Sequence, residues 1–116
     1  MSSVFPHQPS VEHAPQKQTD VIVDDGEPTD LLQVLSSDTA QEILSALTGE
    51  PKTTSDIATT VGQSIQNITY HLDRLCEVDL VEPVGTWYSE KGREMTVYAL
   101  TTEELIVRFS DSSESG

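Results

Sequence analysis

Apolar side chains recur every three or four residues in successive segments of the central part of the chain, a spacing that predicts amphipathic helices. The first predicted helix runs from Asp30 to Leu35. The second begins at Asp38, where a capping box with Gln41 is expected, and it ends before Gly49. The inward-facing positions of these two helices are Leu31, Leu32, Leu35, Ile43, Leu44 and Leu47.

Two further predicted helices are separated by one tight turn. Thr53 is expected to cap the third helix, with Asp56 at the far position of its capping box. Gly62 supplies the turn, and Ser64 caps a fourth helix that runs to about Val78. The predicted inward stripes are Ile57, Ala58 and Val61 in the third helix and Ile65, Ile68, Leu72, Leu75 and Cys76 in the fourth.

A strand period replaces the helical one after the fourth helix. Leu80 to Tyr88 and Met95 to Leu100 predict two strands joined by a hairpin loop at Ser89 to Gly92. Thr101 and Glu104 then suggest a capping box before a short terminal helix. This order predicts a mainly α fold with a small β-hairpin wing, a winged helix-turn-helix, and the apolar residues of its last helix are Leu105, Ile106 and Phe109.

The two ends of the chain lack apolar periodicity. Residues 1–28 contain four prolines and an acidic stretch, so we expect a disordered N-terminal arm, and residues 111–116 read as a disordered polar tail. The winged helix-turn-helix domain is therefore expected at 29–110. No apolar run approaches the ~20 residues that cross a bilayer, and no targeting segment is evident at the start. These features predict a cytoplasmic protein with no membrane association.

The charge balance is strongly acidic. The chain has 20 acidic residues against six basic ones, for a net charge of -14. The acids extend into the expected domain, because residues 29–110 hold 13 acids and five bases, a net of -8. Scarce lysine with abundant Asp, Glu and Thr resembles the cytosolic proteins of salt-accumulating halophiles. An acidic mesophilic protein that binds basic partners is the alternative.

The fourth predicted helix departs from this acidity, because Ser64 to Leu72 contains no acidic residue. Asn and Gln can pair bidentately with adenine, and Ser and Thr can contact either a base or a phosphate. The candidate DNA-binding side chains of this helix are Ser64, Gln66, Asn67, Thr69 and Tyr70. The alternative is that these residues are simply a solvated helix face.

Three basic residues are candidates for contacts with the DNA backbone. Arg74 lies one helical turn beyond Tyr70, and Lys91 and Arg93 flank the glycine of the predicted hairpin loop. A hairpin tip with random charge, paired locally with Glu90 and Glu94, is the alternative interpretation of the last two.

Residues 30 to about 101 resemble the winged helix-turn-helix repressors of the ArsR/SmtB type, especially their archaeal branch. The matching landmarks are Ser37-Asp38-Thr39, Ile43-Leu44, Asp56-Ile57-Ala58, Ser64, Asn67-Ile68-Thr69-Tyr70-His71-Leu72, Leu75 and Leu80-Val81. The resemblance implies that the fourth helix (64–78) is the recognition helix and that the wing (80–100) touches the minor groove or its phosphates. It also implies a homodimer formed through the first and last helices, with Leu31, Leu32, Leu35, Leu105, Ile106 and Phe109 at the interface.

The metal sensors of that family carry cysteine-rich or paired histidine and acidic ligands that this chain lacks at the matching positions. We therefore expect no metal and no cofactor. No catalytic constellation is evident either, so an enzyme is not expected. The sequence predicts a homodimeric regulator that binds double-stranded DNA and responds to an effector that the sequence does not identify. The alternative is a winged-helix protein-interaction module of the transcription machinery without direct base readout.

Overall fold

The computed structural model describes residues 13–23 and 30–109. The helices and strands of these residues are, in chain order, β1 (Thr19–Val23), α1 (Asp30–Leu35), α2 (Asp38–Ala46), β2 (Lys52–Thr53), α3 (Thr54–Val61), α4 (Ile65–Glu77), β3 (Val81–Tyr88), β4 (Glu94–Leu100) and β5 (Leu105–Phe109). The first four of the five predicted helices are confirmed, and the first has the predicted bounds. None of the described helices is both long and apolar enough to cross a membrane.

The hydrophobic core lies where α2, α3 and α4 meet the sheet. The largest fully buried side chains are Ile43, Ile57, Ile68, Leu72, Leu75, Val81 and Val97. The predicted inward residues of the helices therefore pack in or against the core, with two exceptions, Leu32 and Ile65. Ile65 is 53% exposed, because it is the first residue of α4 and the helix is buried only from Ile68 onward.

The start of α2 differs by one residue from the prediction. Ser37 is the N-cap, and its hydroxyl oxygen accepts a hydrogen bond from the Ala40 amide at 3.2 Å. Asp38 is instead the first helical residue, where its carboxylate stabilises the positive end of the helix dipole. The expected capping box with Gln41 does not form, because the Gln41 amide donates to the Leu35 carbonyl at 2.6 Å.

The turn between α3 and α4 has the predicted geometry. Gly62 has φ +83°, a left-handed conformation that glycine adopts without strain, and its amide donates to the Ala58 carbonyl at 2.8 Å. Ser64 then caps α4 by accepting a hydrogen bond from the Asn67 amide at 3.0 Å. These two residues determine the direction in which α4 leaves α3.

The wing is part of a three-stranded antiparallel sheet. β3 and β4 form the predicted hairpin, and the strand order is β2-β4-β3. The sequence analysis missed β2, which has only two residues and pairs with Tyr98 and Val97 of β4. Thr53 ends β2 and also caps α3 as predicted, accepting a hydrogen bond from the Asp56 amide at 3.2 Å. This buried threonine thus joins the sheet to the third helix.

The predicted terminal helix is wrong, because residues 105–109 form the strand β5. The residues of the expected capping box bond elsewhere: the Thr101 hydroxyl donates to the Asp79 carbonyl at 2.7 Å, and the Glu104 carbonyl accepts from Thr102 at 2.9 Å. The sequence LIVRF is rich in β-branched and aromatic residues, which favour a strand once a partner strand is available.

That partner comes from the segment expected to be a disordered arm, and this part of the prediction is also wrong. Residues 19–23 form β1, which pairs in parallel with β5 from Thr19 opposite Leu105 to Val23 opposite Phe109. Gln16 exchanges backbone hydrogen bonds with Thr101 and Glu103 at 3.0 and 2.8 Å. The sequence analysis missed the pairing because the partners are 86 residues apart. The rest of the predicted arm (1–12 and 24–28) and the predicted tail (111–116) lie outside the described residues.

Replacing Thr53 by valine tests the junction between sheet and helix. The change keeps the shape of the buried side chain but removes the oxygen that accepts the Asp56 amide, so we expect the free energy of unfolding to fall by about 1 kcal/mol. Urea unfolding at constant KCl concentration measures this free energy. Thr60→Val, at an exposed position of α3, is the control and should change stability by less than about 0.5 kcal/mol. Equal midpoints for the two variants would contradict the capping role.

Candidate nucleic-acid interface

The solvent face of α4 carries most of the predicted DNA-binding side chains. Ser64, Gln66, Thr69 and Tyr70 are all exposed, and the first turn of the helix contains no acidic residue. Tyr70 is 56% exposed, and its ring stands edge-on to His71 with 5.1 Å between the ring centroids. The phenol group is therefore held at the surface. Exposed side chains with donors and acceptors on one helix face can contact base edges in a groove.

Asn67 differs from its neighbours because it is half-buried and already bonded. Its side-chain amide donates to the Gln63 side-chain oxygen. The Gln63 amide in turn donates to the Thr39 hydroxyl at 2.9 Å. These three polar residues link α4 through the turn to the start of α2. Asn67 thus helps to hold the recognition helix in place, a role that the sequence analysis missed.

Thr69 is exposed but its hydroxyl is also engaged. It donates to the Ile65 carbonyl at 2.8 Å, one turn earlier in the helix. The oxygen can still accept a hydrogen bond, while the methyl group offers apolar contact of the kind that suits a thymine methyl. Ile65 itself adds an exposed apolar surface at the start of the helix.

The tip of the wing is ordered by Ser89. Its hydroxyl oxygen accepts hydrogen bonds from the amides of Lys91 and Arg93 at 3.3 and 3.1 Å. Its own amide donates to the Arg93 carbonyl at 2.9 Å. The backbone that carries the two basic residues is therefore held by local hydrogen bonds, and both side chains are exposed.

The predicted DNA-contacting cations differ from Lys52 and Arg108 in their ion pairing. Lys52 forms an ion pair with Glu50 at 2.9 Å, and Arg108 forms one with Asp20 at 3.1 Å. Within the described part of the chain, no ion pair involves the side chains of Arg74, Lys91 or Arg93. Arg74 is half-buried along α4, whereas the other two stand at the wing tip.

A groove of about 240 Å³ separates α4 from the wing, and its floor is the start of α3. The sequence analysis did not identify these lining residues: Thr54, Ser55, Ile65, Met95 and Thr96. Hydroxyl groups at a helix start are a signal that could have indicated the first two. The others are seen only once β4 is folded beside α4. Asp56, Glu90 and Glu94 border the same region, so their negative charges offset those of the three candidate cations.

Cys76 has the environment of a structural cysteine. Burial raises the pKa of its thiol, and the negative charges of Asp73, Asp79 and Glu82 raise it further. The neutral thiol is therefore favoured, and it is the less reactive form. In the part of the chain that the structure describes, no group of three or more His, Cys, Asp and Glu residues could hold a metal ion.

The residues predicted for a dimer interface are in two environments. Leu31, Leu35 and Leu105 are half-buried and pack against the protein's own core. Leu32 is half-buried in α1, and Ile106 is half-buried in β5. Phe109 ends β5 at the register position opposite Val23. The structure brings α1 and β5 to the same core, but it gives three of the six side chains an internal role.

Comparison with known proteins agrees with this architecture. A family model described as a helix-turn-helix domain matches residues 35–84, the segment from the end of α1 to the start of β3. A search of curated proteins finds no match.

Several solved structures have the same arrangement of helices and wing. One is the homodimeric winged helix-turn-helix DNA-binding domain of a possible ArsR-family transcriptional regulator from Mycobacterium bovis, with 21% identity, a TM-score of 0.52 and coverage of 63% of this chain and 62% of that one. Reduced HlyU from Vibrio cholerae has 18% identity, a TM-score of 0.52 and coverage of 62% and 70%. NolR from Sinorhizobium fredii has 22% identity, a TM-score of 0.51 and coverage of 75% and 73%. The chain therefore has the winged helix-turn-helix fold.

Removing the Gln63 side chain tests the bracing of α4. Gln63→Ala deletes both the bond to Thr39 and the acceptor for Asn67, so we expect the free energy of unfolding to fall by about 1 kcal/mol. For a domain of this size, that is a drop of roughly 4–8 °C in melting temperature. Calorimetry measures the melting temperature. Gln66→Ala, at an exposed position of α4, is the matched control. A melting temperature for Gln63→Ala equal to that of the control would contradict a bracing role.

Proposed function

We propose that this protein is a DNA-binding transcription regulator that inserts α4 into the major groove and lays the β3–β4 wing on the adjacent backbone. The observation that carries the proposal is the face of α4. It is exposed, polar and free of acidic residues from Ser64 to Leu72, in a chain with a net charge of -14. The helix-turn-helix family match and the winged-helix relatives support the same function.

The dimensions of α4 suit this role. Its 13 residues span about 20 Å, and the major groove is about 12 Å wide, enough to admit a helix. Gln66 and Tyr70 lie one turn apart on the exposed face and can reach neighbouring base edges. The start of the helix at Ser64, where amides point outward, favours a phosphate. Asn67 contributes mainly by holding the helix, because its amide is bonded to Gln63.

The wing and Arg74 supply the contacts to phosphates. Lys91 and Arg93 stand on a hairpin tip held by Ser89, so binding DNA does not require the tip to become ordered first. Only three cations in each domain take part, which is few for a protein that binds a polyanion. Hydrogen bonds and shape must therefore supply a larger share of the affinity than in a basic DNA-binding protein.

The acidity of the domain sets the conditions under which it binds. At low ionic strength its negative charge repels DNA, whereas in about 1 M salt the Debye length is ~3 Å and only charges in direct contact matter. We propose that the protein works in the cytoplasm of a salt-accumulating, archaeal cell. The acidic composition supports this proposal.

The active form in our proposal is a homodimer. One domain reads only a few base pairs, and a dimer reads two half-sites about 34 Å apart, one helical turn of DNA. The homodimeric relative from Mycobacterium bovis supports this assembly. Such a dimer bound at a promoter would regulate transcription by blocking or organising access to it, and an effector would act by changing its affinity for DNA.

Replacing Gln66 by alanine tests base reading. The loss of one bidentate contact is worth about 1–3 kcal/mol, so affinity for the preferred sequence should fall roughly 5- to 150-fold for each half-site. Fluorescence anisotropy in about 1 M KCl, on DNA selected from the protein's own upstream region, measures it. Gln33→Ala removes the same side chain from the exposed face of α1 and should leave binding unchanged.

Equal affinities for Gln66→Ala and the unmodified protein would contradict base reading by α4. Absence of sequence-selective binding at every salt concentration would instead favour a winged-helix module that binds a protein of the transcription machinery. The acidic surface would then be the contact surface for a basic partner.

Salt dependence tests the backbone contacts. With at most three cations on phosphates in each domain, and therefore six in the dimer, the slope of log K against log [KCl] should be no steeper than about -6. Lys91→Ala removes one cation from each protomer of the dimer, so it should make the slope shallower by about 2 and should weaken binding equally on preferred and unrelated DNA. Lys17→Ala removes the same charge from an exposed position outside the interface, so it should leave the slope unchanged. Equal slopes for the two lysine variants would contradict contact by the wing.

A further inference from the structure

β1 and β5 form a separate two-stranded parallel ribbon beside the winged helix. We name residues 19–23 and 105–109 together the terminal ribbon. Because side chains alternate along a strand and paired residues share a face, Val21 and Val107 lie on one face. Ile22 and Arg108 lie together on the other face, next to Asp20 and Ile106.

The terminal ribbon has little support within the protein. β1 and β5 contact chiefly each other, and Leu105 at the start of β5 packs against the core. Parallel strands are normally covered on both faces, and a lone two-stranded sheet is only marginally stable in water. Ile22 is 55% exposed, which makes it one of the most exposed large apolar residues in the described part of the chain. The ribbon therefore needs a further covering surface.

The strand edges of the ribbon also indicate that it needs a further covering surface. Since the sheet has only two strands, each strand has one edge without a strand partner among the described residues. Such an edge presents unpaired amide and carbonyl groups that favour pairing with another strand. The chain segments that directly follow the two strands are DDGEPT (24–29) and SDSSESG (110–116). Neither contains an aliphatic or large aromatic side chain with which to cover an apolar surface.

The charge distribution is compatible with a second copy of the chain as the partner. Two copies that each carry a net charge of -14 repel over most of their surface. In the terminal ribbon, however, the only charged residues are Asp20 and Arg108, which lie 3.1 Å apart and cancel. Hydrogen bonds from Gln18 and then Arg108 lower the pKa of Asp20, so it stays ionised and the balance is kept near neutral pH. Repulsion between copies is therefore weak where two ribbons meet.

We infer that the terminal ribbon is the dimerisation surface of this protein, and that the ribbon of one copy binds the ribbon of a second copy with Ile22 in the contact. The inference deepens the proposed function, which requires two domains on DNA, but it rests on the geometry of β1 and β5. It assigns a role to the N-terminal strand, which the sequence analysis had left outside the domain. It also explains how a dimer can form although Leu31, Leu35 and Leu105 pack internally.

The size of the ribbon sets the expected strength of the dimer. Strands of five residues are about 17 Å long, and a stable interface buries about 800 Å² on each partner. A ribbon of this length supplies only part of that area, so the dimer should dissociate on dilution. It should also be stronger at high salt, where the repulsion between acidic copies is screened.

Analytical ultracentrifugation of the full chain in about 2 M KCl tests the inference. The unmodified protein should show a concentration-dependent dimer, and Ile22→Lys should raise the dimer dissociation constant at least tenfold because it places two like charges in the contact. Ile22→Val should retain the dimer. Ile65→Lys is the matched control, since Ile65 is 53% exposed but lies on α4, and it should also retain the dimer. A monomer at every concentration, or an Ile22→Lys dimer as strong as that of the control, would overturn the inference.

Hydrogen exchange on the unmodified protein gives a second test that does not depend on how a variant folds. Backbone amides of residues 19–23 and 105–109 should exchange more slowly in concentrated than in dilute solution, while those of α3 should not change. Equal exchange rates in the ribbon at both concentrations would overturn the inference. The two failures are distinguishable. A ribbon dimer without selective DNA binding would refute DNA binding and leave the ribbon dimer standing. Selective binding by a monomer would refute the ribbon and the proposed homodimer but would leave DNA reading by α4 standing.

Discussion

The burial of one stripe of α4 is the interaction on which the rest of this structure depends. Ile68, Leu72 and Leu75 are almost completely removed from water against the other helices and the sheet. Because a helix is rigid, fixing that stripe also fixes the opposite face, so Gln66 and Tyr70 must face solvent. The turn at Gly62 and the bonds of Gln63 set the direction of the same helix. Stability and the geometry of the candidate interface thus have one origin.

Electrostatics explains why the candidate interface is confined to one face of α4 and the wing tip, where acidic residues are few and cations are present. The acids of the chain are spread over the domain, yet the exposed face of α4 lacks them from Ser64 to Leu72. The wing adds two cations without an ion pair in the described structure, held on a tip that Ser89 organises. Such a surface suits short-range contacts that persist when salt screens the net charge. A conventional basic surface would lose much of its affinity under those conditions.

The terminal ribbon adds a different kind of constraint. Its two strands are 86 residues apart in the chain, so pairing them closes a long loop and costs conformational entropy. Contacts that form only after the loop closes must offset this cost. The backbone pairing of the two strands and the ion pair between Asp20 and Arg108 supply some of these contacts. A second copy would supply more, and would join the stability of the ribbon to the assembly proposed for DNA binding.

Local interactions were sufficient for the sequence to determine the helices, the hairpin, the turn at Gly62 and the cap at Ser64, because each depends on residues a few positions apart. The candidate residues on α4 followed from the same helical period. Tertiary structure alone decided three further features: the strand at 105–109, the bracing role of Asn67 and the exposure of Ile65. Each of these depends on a partner, or on the lack of one, elsewhere in the fold. The sequence LIVRF becomes a strand because residues 19–23 pair with it, and no local pattern encodes a partner 86 residues away.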